Sequence, residues 1–471
     1  MDIFTLLQQR TAGIIQSEFN YQIAQDDILI QPTRKEFDGE YTIVTFPLAG
    51  PLRQAPPAIA AALGEALVRE EPLVKGYNVV KGFLNLSLSD TYWHRALGAV
   101  TSAIDTPGRA GQKVLVEFAS PNTNKPLHLG HVRNILLGWS MSRIFETLGH
   151  QVVRVQIIND RGIAICKSML AWQMWADGAT PASTGTKPDH FVGEWYVRFE
   201  REFQDEYQQW QKSETARDLL AASAQKDDPG AFFKQYKNTY FNEISPLGIA
   251  AREMLRKWEA GDQEVRALWQ QMNQWVYQGF ESTYQRLGVR FDKLYYESET
   301  YLLGKDLVEQ GLARGIFYQK EDGSVWVDLE DAGLDHKILL RSDGTSVYIT
   351  QDLGTAQLRY EDFGTDRMIY VVADEQNYHF KALFETLKLL GTPYANGLHH
   401  LAYGMVDLPT GRMKTREGTV VDADDLMDEV LEEARLAAAE RGEISELSNE
   451  EQEDILHRIS LAALKYFIIR V

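Results

Sequence analysis

Residues 117–131 read EFASPNTNKPLHLGH, a proline-broken polar loop that runs into an amphipathic segment. Lys125, His128 and His131 are the side chains there that could act on a ligand. A helix start carries unpaired backbone N–H groups and a partial positive charge, so it attracts anions. In an α/β sheet that start lies at the carboxyl end of a strand, where ligands bind. Gly130, between the two histidines, lets a nucleotide approach the backbone closely. Two imidazoles and an ammonium around a helix start suit a triphosphate, and could stabilise charge developing on its α-phosphoryl group. Taken alone, H-L-G-H is short, and two surface histidines at a helix start are the plain alternative. A metal site is disfavoured because no third ligand at metal-site spacing is nearby.

The flanking residues predict the elements that position this loop. KVLVEF before it is a short apolar run consistent with a buried strand. After it, Val132, Ile135, Leu136 and Trp139 recur at helical spacing, and Gly149 sits where a helix cap belongs. QVVRVQII is a second strand, completing a βαβ unit and implying a parallel sheet. Residues from about 170 to 290 turn rich in Trp, Tyr, Gln and Glu and read as a helical insertion between two halves of that sheet. The strand–helix rhythm resumes with RMIYVVA, NYHFKALFETLKLLG and HLAYGMV, and the chain is helical again from Asp424. Upstream, PPAIAAALGEALV, YTIVTF and GFLNLSL indicate a small α+β domain over residues 1–108, ending in the linker-like SAIDTPGRAGQK.

The 471 residues are too many for one ordinary core. No apolar run is long enough to span a bilayer, the N-terminus lacks the pattern of a secretory signal, and a single cysteine, Cys166, excludes internal disulfides. A cytoplasmic protein is expected. The net charge of −19 argues against a broadly basic surface for nucleic acid, although a local basic stripe can hide within it. The acids are partly concentrated between Asp422 and Asp454, a run that reads as a solvated helix face. The chain stops at LAALKYFIIRV, inside an apolar periodic segment, which suggests truncation.

SPNTNKPLHLGH resembles the first signature (the HIGH motif) of class I aminoacyl-tRNA synthetases, in the form found in arginyl-tRNA synthetases. GRMKTREGTVV resembles the second signature loop. SDGTSVYITQDLGTA, MIYVVADEQNYHF, HFVGEWYV, KWEAGD and GVRFDKLYYESETYLLGK are similar to further segments of the arginyl family, and NVVKGFLNLSL to the end of its extra N-terminal domain. The resemblance covers nearly the whole chain. It implies a Rossmann-type α/β catalytic domain over 109–420 with the insertion at about 170–290. A tRNA-elbow-binding domain would occupy 1–108, and a helical anticodon-binding domain would start at 421–471, most of it missing.

Carried over by position, the resemblance places arginine on Glu117, Asn122, Tyr348, Asp352 and Gln376. Asp352 is the candidate guanidinium partner, because a planar cationic fork needs carboxylates. Tyr348 and Asp352 share a face in either a helix or a strand. ATP, with Mg²⁺ and no metal ligated by the protein, is placed on His128, Gly130, His131 and Met413. The second loop reads Arg412, Met413, Lys414, Thr415, Arg416, with Thr415 where class I enzymes usually have a second lysine. Lys125 holds the position that arginyl enzymes are thought to use instead, with Lys414 and Arg416 contributing. Phe83 and Asn85 align with contacts to the tRNA elbow, though an aromatic beside LNLSL also fits a core position. The implied activity is arginine–tRNA ligation by a monomer: arginyl-adenylate forms from arginine and ATP, then the 2′-hydroxyl of the terminal tRNA adenosine takes the arginine. The expected truncation implies weak charging. Two other readings compete: a small-molecule adenylyltransferase with the same H-x-G-H loop, and a binding protein that has lost catalysis.

Overall fold

The computed structural model describes residues 3–102, 111–408, 411–412, 420–442 and 447–470. The chain divides into two compact units, Met1–Pro107 and Gly108–Val471.

In the first unit, a four-stranded antiparallel sheet runs in the order Ile30–Pro32, Tyr41–Val44, Phe83–Leu88, Val74–Val80. Two helices, Ile3–Phe19 and Pro56–Glu70, bury Leu7, Ile15, Ile59 and Leu63 in one cluster with Ile43, Leu84 and Leu86 of the sheet. Pro56 opens its helix at a position where a missing N–H costs nothing. YTIVTF and GFLNLSL supply the strands Tyr41–Val44 and Phe83–Leu88.

The second unit is built on a five-stranded sheet ordered Leu398–Tyr403, Arg367–Ala373, Lys113–Glu117, Gln151–Ile158, Lys293–Tyr296, with every neighbouring pair parallel. The chain begins in the middle strand, grows outward to one edge, then returns to fill the other side. The strand order therefore reverses between Lys113–Glu117 and Arg367–Ala373. In open α/β sheets the crevice beyond the carboxyl ends of two such strands is where ligands sit.

The helix Leu129–Thr147 crosses back over the sheet. Its C-terminus closes through Gly149 at φ +84°, a left-handed conformation that glycine adopts without strain. Midway along it, Gly138 lies so close to Phe118 that an added Cβ would stand 2.2 Å from the ring.

Seven helices lie between Gln151–Ile158 and Lys293–Tyr296, from Ile163–Trp175 to Gln263–Leu287. The two longest, Pro188–Trp210 and Gln263–Leu287, enter the hydrophobic core of one sheet face through Phe191, Phe199, Val276 and Phe280. A three-stranded antiparallel sheet, Phe317–Gln319, Val325–Val327 and Lys337–Leu340, follows the last of these strands, and the sequence reading did not foresee it. Its strands are three or four residues long, too short for a clear period-two signal. Helices Ala423–Arg441 and Asn449–Arg470 fall where the sequence suggested a new domain. They remain part of this compact unit, with Ala423, Met427 and Leu464 in its core.

Replacing Gly138 with alanine is expected to lower stability by about 1–3 kcal/mol through overpacking against Phe118. Chemical denaturation of the two proteins checks this, and an unchanged midpoint would show that the helix can move away without cost.

Candidate active site

The two histidines of the first signature cap their own helix. His128 is the N-cap, and its Nδ1 accepts from the Gly130 N–H at 3.2 Å, while His131 Nδ1 accepts from the His128 N–H at 3.1 Å. This is a capping box made of imidazoles. The rings lie 3.8 Å apart, centre to centre. Because each Nδ1 accepts from the backbone, each neutral ring carries its proton on Nε2. Burial, followed by the nearby Lys125 ammonium, lowers the His128 pKa to about 4. Burial, then His128 and Lys125, holds His131 well below its usual range. At neutral pH the pair therefore donates hydrogen bonds without formal charge, and the positive charge at the helix start comes from Lys125 and the helix dipole. Lys125 and His128 line a cavity of about 410 Å³ with His190, Arg198, Arg201 and Asp422.

The loop that leads to the histidines is held from several sides. Ala119 is buried at φ +57°, a strained conformation for a residue with a Cβ. Two side-chain amides fix it: its N–H donates to Asn134 Oδ1 at 2.6 Å, and its carbonyl accepts from Gln156 Nε2 at 2.5 Å. Asn134 Nδ2 also donates to the Val371 carbonyl at 2.7 Å and to Tyr403 Oη at 2.9 Å, so one amide on the helix ties three strand ends together. Further on, residues 121–123 zip against Asn159: its N–H donates to the Pro121 carbonyl at 2.9 Å, and the Thr123 N–H donates to the Asn159 carbonyl at 3.1 Å. Asn122 sits at this bridge, exposed.

The residues assigned to arginine lie on three neighbouring elements. Glu117 ends the middle strand and is buried, its Oε2 ion-paired with Arg359 and its Oε1 accepting from the Ser120 hydroxyl at 3.3 Å. Tyr348 and Asp352 stand on the helix Tyr348–Phe363, which decides between the two readings of their spacing. Tyr348 opens the helix and is 77% exposed. Asp352 Oδ2 is paired with His379 Nε2 at 2.6 Å. Gln376, exposed, ends a short turn after Arg367–Ala373, just before the helix Asn377–Leu389.

Glu297, inside the motif GVRFDKLYYESETYLLGK, lies within electrostatic reach of Asp352. It opens a short helix after Lys293–Tyr296, held there by Asp160, whose carboxylate accepts from the Ser298 N–H and hydroxyl at 2.8 Å each. Burial raises the Glu297 pKa to about 7. Arg161 opposes the rise, and the negative charges of Asp160 and Asp352 add to it. Tyr370, pushed up to about 12 by burial, feels the charges of both Glu117 and Asp352. The carboxylates at the strand ends thus share one electrostatic neighbourhood.

The second signature loop is described only at its two ends. Gly411–Arg412 pairs with Asp407–Leu408, and Met413, Lys414, Thr415 and Arg416 lie outside the described residues. At the far end, the Leu129 N–H donates to the Val421 carbonyl at 2.9 Å and the Ala423 N–H to the Leu127 carbonyl at 3.0 Å, joining this end to the first signature. Asp424 anchors it further, accepting from Lys187 Nζ at 2.6 Å, Arg286 Nη1 at 2.8 Å and Thr283 Oγ1 at 3.1 Å. Burial pushes its carboxyl up, but bonds from His190 and Lys187 outweigh that and hold it well below the usual range. Asp189, His190 and Asp424 are close enough to share a cation, yet the Lys187 ammonium already sits among them. Burial raises the Cys166 pKa to about 12, which removes it as a nucleophile.

In the first unit, Phe83 packs edge-on against Phe46 at 5.1 Å between ring centres. Asn85, aligned with the same elbow contact, lies inside the sheet. It is 1% exposed, with Oδ1 accepting from the Thr42 hydroxyl at 2.6 Å and Nδ2 donating to Asn78 at 2.9 Å, so the interior of the sheet uses both ends of its amide.

A family model for "tRNA synthetases class I (R), catalytic domain" matches residues 100–470, and one for "Arginyl tRNA synthetase N terminal domain" matches residues 5–88. The chain belongs to the arginyl-tRNA synthetase family. It is 48% identical to an arginine–tRNA ligase of Amoebophilus asiaticus, over 100% of this chain and 76% of that protein. With the arginine–tRNA ligase of Parabacteroides distasonis it shares 49% identity, over 98% and 75% respectively. Among solved structures, Thermus thermophilus arginyl-tRNA synthetase shares the fold at a TM-score of 0.65 and 22% identity, covering all of this chain and 76% of that one. No described helix is long and apolar enough to cross a membrane.

The capping box has a pH signature. Because the folded chain holds His128 near 4 against an ordinary value of 6.5, the unfolded chain takes up protons first. Stability should therefore fall as pH drops from about 6.5 towards 4. Imidazole NMR titration should find His128 and His131 neutral at pH 6, and a midpoint near 6.5 for either ring would contradict the capping assignment.

Proposed function

We propose that the chain carries out arginine–tRNA ligation in two steps at the strand-order reversal. In the first, the arginine carboxylate attacks the α-phosphorus of ATP, forming arginyl-adenylate and releasing pyrophosphate. In the second, the 2′-hydroxyl of the terminal tRNA adenosine attacks the adenylate carbonyl. ATP acts as its Mg²⁺ complex, as substrate. A cytoplasmic monomer is the working expectation for the protein as a whole.

The observation that carries this reading is the pairing of opposites around one strand end. A helix start with two Nε2–H donors and Lys125 suits a polyphosphate, and Glu117, Asp352 and Glu297 on neighbouring elements suit a cation. On this reading Asp352 and Glu297 take the guanidinium. Glu117 and Asn122, nearer the signature loop, take the α-ammonium, which leaves the α-carboxylate towards the phosphate. Tyr348 covers the side chain and Gln376 closes the far side. Met413, Lys414 and Arg416 remain assigned to the nucleotide by their place in the motif, and Phe83 to the tRNA elbow. No side-chain nucleophile takes part, since positioning and charge stabilisation are enough for this transfer.

Pyrophosphate exchange measured with each amino acid, with and without tRNA, tests the activity. Exchange should require arginine and depend on tRNA. Exchange driven by a neutral amino acid, or by none, would favour an adenylyltransferase, and ATP binding without turnover would favour a binding protein. Asp352→Asn should raise the KM for arginine by about 10- to 100-fold, the worth of a charged hydrogen bond, with little change in that for ATP.

Glu297 adds a pH dependence. With a pKa of about 7, it must ionise to pair with a guanidinium. The KM for arginine should therefore fall as pH rises through 7 and then level off. Glu297→Gln should flatten that profile, and a slope that survives the substitution would assign it to another group.

A further inference from the structure

The ion pair between Arg359 and Glu117 lies inside the core, with the two residues 2% and 6% exposed. A buried pair of this kind is often no more stabilising than apolar side chains of similar size. Its geometry gives it a use. Among the described residues, Arg359 Nη1 holds Oε2 of Glu117, and Oε1 accepts from the Ser120 hydroxyl at 3.3 Å. A carboxylate has about four acceptor positions, so Oε1 keeps capacity towards the loop. Tyr295 and Tyr370 lie beside the Arg359 guanidinium, their ring centres 5.3 and 5.6 Å away, and restrict its position. Arg359 also stands seven residues beyond Asp352 on the helix Tyr348–Phe363, two turns along roughly the same face. One helix therefore carries the proposed guanidinium partner at one end and the clamp on Glu117 towards the other.

We propose that Arg359 is a positioning residue for the arginine substrate. It keeps the Glu117 carboxylate oriented so that Oε1 meets the α-ammonium at a fixed span from Asp352. Arg359 touches no substrate atom and acts only through Glu117. The proposal rests on the reading that Glu117 takes the α-ammonium.

The test compares arginine with 5-guanidinopentanoic acid, which keeps the guanidinium and carboxylate but lacks the α-amino group. Arg359→Lys keeps the charge and loses the planar fork. In pyrophosphate exchange with tRNA, this variant should raise the KM for arginine by about 10-fold, with kcat and the KM for ATP changed by less than about 2-fold. The inhibition constant of 5-guanidinopentanoic acid should not change. Glu117→Gln should weaken arginine at least as much and again spare the des-amino analogue. In the double variant Glu117→Gln/Arg359→Met, which leaves no orphaned charge, arginine should bind no worse than in Glu117→Gln alone, because the two residues act as one unit.

If Glu117→Gln weakens arginine and the analogue equally, the α-ammonium reading fails, and the proposal with it. If Glu117→Gln behaves as expected but Arg359→Lys leaves the KM for arginine unchanged, the proposal alone is overturned. The proposal is also overturned if Arg359→Lys raises the inhibition constant of the analogue as much as the KM for arginine, which marks a merely structural role. A further loss on adding Arg359→Met to Glu117→Gln would show that Arg359 acts by another route.

Discussion

A polyanion and a cation have to meet at bond-forming distance beside the end of one strand, and that electrostatic requirement orders everything around it. A site with too much positive charge would neutralise its own carboxylates, and one with too much negative charge would repel the nucleotide. The two histidines of the first signature ease this conflict because they are neutral, with Nδ1 committed to the backbone and Nε2–H left to donate. The carboxylates are engaged one by one: Glu117 by the Arg359 guanidinium, Asp352 by a hydrogen bond with His379 Nε2, and Glu297 by burial that raises its pKa to about 7. On the proposed reading, the arriving arginine replaces the weaker of these balances with its own charge.

Order at such a site depends on groups that never meet the ligand. The strained backbone of Ala119 is held by Asn134 and Gln156, and Asn134 reaches two further strands. Fixing one loop residue through several elements makes its position a property of the whole sheet rather than of a flexible turn. The same logic applies where the second signature loop rejoins the core: Asp424 gathers cations from the helical insertion, so insertion and loop share a foothold. Residues far apart along the chain thus become one rigid surround for the reacting groups.

Much of the framework was legible in the chain itself. The strand before the first signature, the helix after it and the glycine that ends that helix follow from apolar spacing and cap chemistry, and each lies where those rules put it. The long helical insertion was readable for the same reason, since its Trp- and Tyr-rich segments keep a helical period over many turns. What escaped had no local signal. The strands of Phe317–Gln319 to Lys337–Leu340 are too short to show alternation. Arg359 and Glu117 are partners across 242 positions, and His379 and Asp352 across 27, so composition near either one says nothing of the other. The partners of Asn85, Thr42 and Asn78, likewise lie 43 and 7 positions away, so the sequence around it gives no sign that both ends of its amide are used inside the sheet.

The claim on which the account rests is that arginine lies with its guanidinium between Asp352 and Glu297 and its α-ammonium at Glu117, while the nucleotide phosphates lie at the start of the His128–His131 helix. A crystal structure of the chain with arginine and a non-hydrolysable ATP analogue tests it most directly. The account predicts Nε2 of both histidines facing phosphate oxygens and the guanidinium paired with the two carboxylates. Arginine bound in the reverse orientation, or phosphates lodged away from that helix start, would contradict it.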